Sequence, residues 1–364
     1  MKLKNQFNTL LTIIPRKLDA FTQYALISTE EAVRDAGLEG AELDKNRVGV
    51  IWGAGIGGIN TIYDEISAYC HSESDVPRFS PFLILKMLTN MAAGHISLKY
   101  GYKGPGFSTV SACSSSTHSI VSAVDQIRLG RADVMITGGS EGAVSVVGLG
   151  SFNSMMALST RNDDPKTASR PYDKDRDGFV MGEGGATLVL EELEHAKARG
   201  AKIYAEIVGV GMSSDAYHVT APEPEGEGAS YCMECALSDA GIAPEEVDYI
   251  NTHGTSTPLG DVAELKGIQK TFGDHAYEMN ISSTKSMTGH LLGGAGAVEA
   301  LAAIMAITKG VIPPTINIQE LDPAIDPRLN LTRDVAQRRE VRYALSNTFG
   351  FGGQNSTIIL KKYE

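Results

Sequence analysis

Cys113 is the residue in this chain whose setting best suits covalent chemistry. It lies in the run 110–116, Val-Ser-Ala-Cys-Ser-Ser-Ser, where small side chains open a helical pattern. The start of a helix favours a thiolate, because its unpaired backbone N–H groups and its dipole face the anion, and cysteine attacks as the thiolate. Taken alone, Cys113 has two interpretations: a nucleophile that carries an acyl group, or a buried cysteine that packs as a small apolar side chain.

Two histidines in distinctive settings stand far downstream of Cys113. His253 follows the strand pattern 247–251, and His290 lies inside the glycine-rich run 289–296. In an α/β sheet, loops at the carboxyl ends of strands build the active site, and glycines let backbones approach closely. The alternatives are a polar turn that caps the next helix for His253, and tight helix packing for His290.

A lysine precedes the second histidine. Lys285 lies five residues before His290, where a partly buried lysine can bias the charge of a pocket or pair with Glu299. Neither histidine has the spacing of a zinc motif, and two imidazoles with one thiol are a thin ligand set. We therefore predict no metal.

The sequence 347–355, Asn-Thr-Phe-Gly-Phe-Gly-Gly-Gln-Asn, is the last distinctive motif. Its glycines permit positive φ and expose backbone N–H groups, which are the material of an oxyanion hole. Phe349 and Phe351 are suited to gate an apolar tunnel. The alternative is a simple turn before the final strand pattern, 356–360.

Composition excludes several classes of function. The 364 residues are 42% hydrophobic and 21% charged, and 32 Lys and Arg against 44 Asp and Glu give a net charge of −12. An acidic chain is a poor general binder of nucleic acid or anionic membranes, although an acidic partner can still dock on a local basic patch. We find no apolar stretch near 18 residues and predict no membrane span. Four cysteines in a long chain do not indicate a disulfide framework.

Strand and helix patterns alternate along the chain, which predicts a layered α/β fold with buried strands. Strand patterns cover 48–52, 132–137, 186–191, 203–210, 247–251 and 356–360, and helix patterns cover 21–37 and 297–309. A soft seam near 198–201 divides the chain into residues 1–198, which carry Cys113, and residues 199–364, which carry both histidines.

Together these motifs resemble those of the elongating β-ketoacyl-acyl carrier protein synthases, most closely the synthase II type. The resemblance runs from Lys17 to the C-terminus and rests on four motifs in one order: 111–115, 251–261, 283–293 and 347–353. It implies a thiolase-like fold in which two similar halves form five αβαβα layers. It also implies a cytoplasmic homodimer that acts in fatty acid elongation.

The resemblance implies a role for each reactive residue. Cys113 would be acylated by a carrier-bound acyl group. His253 and His290 would bind the malonyl thioester carbonyl, promote loss of CO2 and stabilise the enolate that attacks the acyl group. The N–H groups of Cys113 and Phe351 would hold the tetrahedral oxyanion. Lys285 would assist the histidines, and the product would be 3-oxoacyl-acyl carrier protein.

Further positions match supporting residues of that family. Glu299 matches the carboxylate partner of Lys285. The positions expected to contact substrate are Thr255 and Thr257 for phosphopantetheine, and Ile56, Phe152, Phe179, Phe349 and Phe351 for the acyl pocket and its gate. The patch expected to dock the acidic carrier protein is Arg16, Lys17 and Arg78. Phosphopantetheine would arrive on the carrier, so no separate cofactor is expected.

One departure from the family pattern keeps alternatives open. Family members begin with a strand and turn of the type Val-Val-Thr-Gly-Met-Gly, which residues 1–15 do not resemble. Loss of that buried strand would leave neighbouring strands unpaired, so we expect a truncated product or a mis-set start. The alternatives are an inactive or non-catalytic partner subunit and a synthase of a polyketide-type pathway. A thiolase using CoA thioesters is disfavoured, because no cysteine follows Cys235. Chain-length preference is not predicted.

Overall fold

A four-stranded sheet forms the core of the first half of the molecule. The computed structural model describes residues 17–74 and 76–364, so Arg16 of the predicted docking patch lies outside the described residues. The strands are β1 (Val48–Gly53), β2 (Gly106–Thr109), β3 (Val134–Glu141) and β4 (Gly184–Glu191), in the order β2-β1-β3-β4. β1 runs parallel to β2 and β3, and β4 runs antiparallel to β3.

A five-stranded sheet forms the core of the second half. Its strands are β5 (Ala205–Ser214), β6 (Tyr249–Asn251), β7 (Asn280–Ser282), β10 (Tyr343–Gly350) and β11 (Gln354–Lys362), in the order β5-β11-β10-β6-β7. A small ribbon pairs β8 (Val311–Ile312) with β9 (Gln337–Arg338). The predicted strands all form, but the sequence patterns missed β2, β7, β8, β9 and β10.

Eleven helices are present among the described residues. They are α1 (Ala20–Asp35), α2 (Ile59–Cys70), α3 (Leu83–Met87), α4 (Met91–Tyr100), α5 (Ser115–Arg128), α6 (Val146–Ser154), α7 (Leu193–Ala198), α8 (Glu227–Ala240), α9 (Pro258–Phe272), α10 (Lys285–Thr288) and α11 (Ala295–Lys309). Both predicted helices, 21–37 and 297–309, form with small shifts at their ends.

The sheets and helices stack in five layers. Helices α1 and α4 cover one face of the first sheet, α5 and α11 lie between the two sheets, and α8 and α9 cover the far face of the second sheet. The alternation of side chains along β1 shows the arrangement, because Val50 faces the outer cluster and Ile51 faces α5. The predicted layering is therefore present.

The two halves share one strand topology. The parallel and antiparallel pairings of β1, β2, β3 and β4 repeat in β6, β7, β10 and β11. In the second half β5 adds to the outer edge of β11, whereas no strand of the described residues pairs with the outer edge of β4. The predicted boundary at residue 198 falls between the two sheets and remains a prediction.

One segment changes the expectation about apolar stretches. Residues 292–309, mainly α11, are long and apolar enough to cross a membrane, with a mean hydropathy of 1.3 over 18 residues. The sequence prediction had overlooked this segment. Its buried share is 61%, and Ala300 and Ala303 pack between the two sheets. Packing inside the protein thus accounts for its apolar composition.

The first turn of α5 packs directly onto the first sheet. A Cβ atom on Gly53 of β1 would lie 2.5 Å from the backbone of Ser115, and one on Gly139 of β3 would lie 2.4 Å from the Cβ of Ser116. These distances are far below van der Waals contact. Glycine at both positions therefore lets α5 begin against the sheet, immediately after Cys113.

We predict that Gly53→Ala lowers the free energy of unfolding by about 1–3 kcal/mol, because the clash is with backbone that cannot rotate away. Gly94→Ala is the control: Gly94 lies inside α4, nothing lies within 4 Å of an added Cβ, and the change should stabilise by about 0.5–1 kcal/mol. Urea denaturation measures both. Equal effects of the two substitutions would contradict the packing argument.

Candidate active site

Cys113 lies in a strained turn at the start of α5. The 3-10 turn Ala112–Ser114 leads directly into the helix, and Ala112 has a φ of 48°, an unusual left-handed conformation for a residue with a side chain. The predicted helix start is thus correct. His118, one turn into the helix, lies 2.6 Å through Nδ1 from the hydroxyl of Ser111 and helps to close the turn.

The thiol and both predicted histidines meet at one place. The Nε2 atom of His290 lies 3.0 Å from the sulfur of Cys113. The rings of His253 and His290 meet edge to face, with centroids 5.2 Å apart and an angle of 87° between their planes. Residues separated by up to 177 positions in the chain therefore face the same small volume.

His253 is held by a buried carboxylate. It follows β6 after one residue, and its backbone N–H donates to Oε1 of Glu264 at 2.8 Å, while the N–H of Gly254 donates to Oε2 at 2.8 Å. The side-chain amide of Asn347 donates to the same carboxylate at 3.3 Å. Burial raises the pKa of Glu264 to about 7, and these donors oppose the rise.

His290 is held through its backbone. Its N–H donates to the carbonyl oxygen of Val180 at 2.7 Å, and its own carbonyl oxygen accepts from the N–H of Gly182 at 2.9 Å. Gly289, the preceding residue, has a φ of 69°, which supports the interpretation of the glycines as a requirement of local geometry. The ring of Phe179 packs edge-on against the imidazole.

Hydrogen bonding indicates the tautomer of each histidine. Lys285 Nζ lies 3.4 Å from Nδ1 of His253, so this nitrogen is the acceptor and the proton is on Nε2. Nδ1 of His290 is buried with no partner among the described residues. A bare lone pair there costs less than a buried unpaired N–H, which again favours a proton on Nε2. Both imidazoles therefore present an N–H donor to the pocket.

The charge behind the histidines is balanced by an ion pair. Lys285 and Glu299 are both nearly inaccessible to solvent and are bonded to each other. Burial lowers the pKa of both His253 and His290 well below the usual value, and the positive charge of Lys285 lowers both further. The two histidines are consequently neutral at pH 7, as donors to a developing negative charge should be.

The thiol is held as a protonated group in the resting enzyme. Burial raises the pKa of Cys113 to about 11, while Lys285 and the backbone N–H of Phe351 act in the opposite direction. The Phe351 N–H is therefore close enough to the sulfur to favour its charged form. The predicted oxyanion donor is thus beside the nucleophile, although its role in the reaction remains a prediction.

The three reactive groups open into one pocket of about 380 Å³. Of the predicted residues, the pocket is lined by Cys113, Phe152, Phe179, His253, Thr255, Thr257, His290, Phe349 and Phe351. The hydroxyls of the two threonines lie 3.0 Å apart at the polar side. Three predicted residues do not line it. Lys285 and Glu299 lie behind His253, and Ile56 packs behind the wall in an apolar cluster with Phe152 and Phe179.

Two kinds of residue were missed from the sequence. Met155 and Met156 line the mouth of the pocket, and Met156 is 89% exposed. The other is Glu264, which the sequence pattern could have identified. Two acids, Asp261 and Glu264, lie on the same helical stripe of α9 as the apolar residues Leu265 and Ile268. A carboxylate at such a position is buried and needs donors.

The same three side chains have donor atoms close enough to share a metal ion, since their sulfur and nitrogen atoms lie within 4.8 Å of one another. Lys285 opposes a second cation here, because its ammonium group lies 3.4 Å from the ring of His253. That the site works without a metal remains a prediction.

The two described residues of the predicted docking patch are both exposed. Lys17 Nζ lies 5.5 Å from the ring centroid of Phe82, four residues along the chain from Arg78. Lys17 therefore lies beside the chain segment that carries Arg78.

Comparison with known families accounts for this arrangement. The model of the beta-ketoacyl synthase N-terminal domain matches residues 2–196, and that of the beta-ketoacyl synthase C-terminal domain matches residues 204–319. The chain belongs to the beta-ketoacyl synthase family. The match begins at residue 2, so the earlier inference that resemblance starts only at Lys17 was too narrow.

Individual relatives support the same family assignment. The chain is 51% identical to 3-oxoacyl-[acyl-carrier-protein] synthase 2 of Coxiella burnetii, over 95% of this chain and 83% of the relative. A beta-ketoacyl synthase from Burkholderia phymatum is 40% identical, with a TM-score of 0.89 over 96% of this chain and 84% of that one.

A third relative is a ketosynthase solved in complex with its type II PKS acyl-carrier protein and bound to the hexaketide. It is 32% identical, with a TM-score of 0.89 over 96% of this chain and 86% of that one. These likenesses confirm the thiolase-like fold with two similar halves.

We predict that Lys285→Met slows alkylation of Cys113 by iodoacetamide at pH 8 by about tenfold, the effect of one pKa unit. The pKa of Cys113 is already raised, and loss of the nearby positive charge raises it further, so less thiolate is present at any given pH. Labelling rates between pH 7 and pH 11 measure the change. Lys285→Arg keeps the charge and is the control. A labelling curve unchanged by Lys285→Met would contradict this account.

Proposed function

We propose that this synthase condenses a carrier-bound acyl group with malonyl-acyl carrier protein, with loss of CO2, to give 3-oxoacyl-acyl carrier protein in fatty acid elongation. The observation that carries the proposal is the meeting of one thiol and two neutral imidazoles in a single pocket, with His290 Nε2 3.0 Å from the sulfur. The enzyme is an acyltransferase of the 3-oxoacyl-[acyl-carrier-protein] synthase type.

The first half-reaction forms an acyl thioester on Cys113. The Cys113 thiol loses its proton to water as its sulfur attacks the carbonyl of the incoming acyl thioester, the C–S bond to phosphopantetheine breaks, and the carrier thiolate takes up a proton as it leaves. The tetrahedral oxyanion would be bound by the N–H groups of Cys113 and Phe351. The support for this is that the Cys113 N–H belongs to the 3-10 turn Ala112–Ser114 and that the Phe351 N–H lies beside the same thiol.

The second half-reaction needs donors to an enolate. Loss of CO2 from the malonyl group leaves negative charge on the thioester oxygen, and two neutral Nε2–H donors suit that oxygen. The resulting carbon nucleophile attacks the acyl carbonyl, the C–S bond to Cys113 breaks, and Cys113 leaves as the thiolate, which takes up a proton from water. The pair Lys285 and Glu299 would keep His253 in the donor tautomer.

A fatty acid role is favoured over a polyketide-type role by the relatives. The Coxiella burnetii protein, at 51% identity, is named for 3-oxoacyl-[acyl-carrier-protein] synthase 2, whereas the ketosynthase with the type II PKS carrier is 32% identical. An inactive partner subunit is not favoured, because the thiol, both histidines and the ion pair are all present and in contact.

We expect Cys113→Ala to abolish both acylation and condensation, because no other thiol lines the described pocket. Cys113→Gln should also lose condensation but retain release of CO2 from malonyl carrier protein, since both histidine donors remain. Intact-protein mass spectrometry measures acylation, and product analysis measures 3-oxoacyl and acetyl carrier protein. A well-folded wild-type enzyme that forms no product would refute the proposal.

The substrate is proposed to arrive on an acidic carrier protein that docks near Lys17 and Arg78, both of which are exposed. Thr255 and Thr257 would bond phosphopantetheine along the polar side of the pocket. The chain itself needs no other cofactor in this scheme, and a cytoplasmic location is consistent with four free cysteines.

A homodimer is also part of the proposal. Its support is β2, an edge strand of the first sheet, where Phe107 is 42% exposed and the adjacent Val110 is 57% exposed. Apolar side chains beside an unpaired strand edge are typical of an interface between subunits.

We predict that Lys17→Glu and Arg78→Glu together raise KM for acyl carrier protein about tenfold and leave kcat nearly unchanged, because they alter an exposed docking charge and not the pocket. The effect should shrink as salt rises. Arg131→Glu is the control, since this exposed cation lies beyond the far end of α5 from Cys113. An equal rise in KM with Arg131→Glu would exclude a local docking site.

A further inference from the structure

Glu141 is a buried carboxylate that the reaction described above does not use. It is the last residue of β3 and is fully buried. No Lys, Arg or His in the described residues forms a salt bridge with it. Its partners are instead four backbone N–H groups, those of Gly55 at 2.8 Å, Ile56 at 3.2 Å, Gly57 at 2.9 Å and Gly293 at 3.2 Å.

These bonds join two turns that are far apart in the chain. Oε1 accepts from Gly57, and Oε2 accepts from Gly55 and Gly293, so both oxygens are needed to bind all three N–H groups. The approach is close enough to require glycine, because a Cβ on Gly293 would lie 2.7 Å from Oε2 and 2.2 Å from the nitrogen of Gly55. The carboxylate therefore sets the separation of the two turns.

Each turn carries an apolar side chain that packs against residues lining the pocket. The first turn carries Ile56 and the second carries Leu292, two residues after His290. Both side chains pack in one cluster with Phe152 and Phe179, and Leu292 lines the pocket directly. A shift of either turn would therefore move the wall against which an acyl chain must pack.

We propose that Glu141 is a positioning residue that fixes the side of the acyl pocket formed by Leu292 and backed by Ile56, and thereby limits the chain length accepted. The inference rests on the proposed function for the identity of the natural substrate, but the pocket itself can be probed without that function. Glu141 does not touch the reacting atoms; it acts through Ile56 and Leu292.

The variant Glu141→Gln tests this role. An amide has one oxygen, so it can serve either the Gly57 side or the Gly55 and Gly293 side, and its NH2 group then faces a backbone N–H donor. The variant therefore loses the hydrogen bonds of one carboxylate oxygen to the turns, while the side chain keeps its size. We expect the wall to become deformable and selection by chain length to become weaker.

Ser140→Ala is the matched control. Ser140 is the adjacent residue on β3, is also fully buried, and donates to Phe21 O while accepting from the indole N–H of Trp52. Its loss removes two buried hydrogen bonds on the side of α1. It should destabilise the fold without altering the two turns, which separates a loss of stability from a change in the pocket.

The first measurement labels Cys113 of the full chain with N-alkyl iodoacetamides of increasing alkyl length, followed by mass spectrometry. In the wild type and in Ser140→Ala the labelling rate should fall steeply beyond one length. In Glu141→Gln the ratio between the rates for short and long reagents should shrink roughly tenfold, as expected for the loss of about one buried hydrogen bond to a charged group.

The second measurement compares kcat/KM for a series of acyl carrier substrates. Equal profiles for Glu141→Gln and the wild type, or an equal change in Ser140→Ala, would overturn the inference while leaving the proposed function intact. Absence of product from the wild type would overturn the proposed function, and the labelling series would still decide the role of Glu141.

Discussion

The junction of the two halves at the start of α5 is the contact on which the site depends. Ser114 Oγ lies 3.0 Å from the carbonyl oxygen of Thr348 and 2.8 Å from that of Gln354. On the opposite side, Gly53 of β1 lies against the same turn. A positive φ at Ala112 costs of order 1–3 kcal/mol and persists only where neighbours enforce it. Here the neighbours come from both sheets, so the nucleophile is oriented only in the assembled molecule.

The second half contains the same kind of strained turn before a helix, with a different role. α11 also begins after a 3-10 turn whose first residue, Leu292, has a positive φ of 50°. The turn after Ala112 presents a thiol, whereas the turn at Leu292 presents a pocket wall directly after His290. The shared topology thus brings two helix N-termini to one place. Because their side chains differ, one supplies the nucleophile and the other supplies part of the pocket wall.

Buried charge is the second constraint on the site. Lys285, Glu299 and Glu264 are each nearly inaccessible, and an unpaired ion in such a place costs several kcal/mol. The lysine pairs with Glu299, and Glu264 is held by two backbone N–H groups. Glu299 balances the charge of Lys285, while the nearby ammonium group helps to keep the pKa of both histidines low, so that they act as neutral hydrogen-bond donors.

Much of the site was predictable because its chemistry is carried by motifs of unusual composition. Cys113, His253 and His290 could be named from their small and glycine-rich surroundings, and the strand before His253 from its apolar run. The 3.0 Å approach of Cys113 Sγ and His290 Nε2 could not be predicted, because it depends on packing between the two halves. β10 was missed because its Asn, Phe and Gly residues resemble a turn, yet their backbone completes a central strand between β6 and β11.

The position of Ile56 also depends on packing that the sequence does not show. Ile56 belongs to the glycine turn that was expected to face substrate; in the structure the turn donates its backbone N–H groups to Glu141, and the Ile56 side chain packs with Phe152 and Phe179. The sequence around Glu141, a carboxylate at the end of a strand, gives no indication that it binds this distant turn. Glu264 is different, since two acids on the apolar stripe of α9 mark a buried site that periodicity alone can find.

Among residues 17–74 and 76–364 no strand pairs with the outer edge of β4, which bears on how much of the first half the site requires. Among the described residues α1 packs along β4, and Ser28 and Thr187 meet through their hydroxyls at 2.8 Å. The nucleophile turn instead rests on β1 and β3, which are paired on both sides, and on the second half through Ser114. Fraying at the edge would therefore reach Glu141, which pairs with Gly184 of β4, before it reached Cys113. If Glu141 positions the pocket wall as proposed, selection of the acyl chain is the property most sensitive to the state of that edge, and formation of the acyl-enzyme the least.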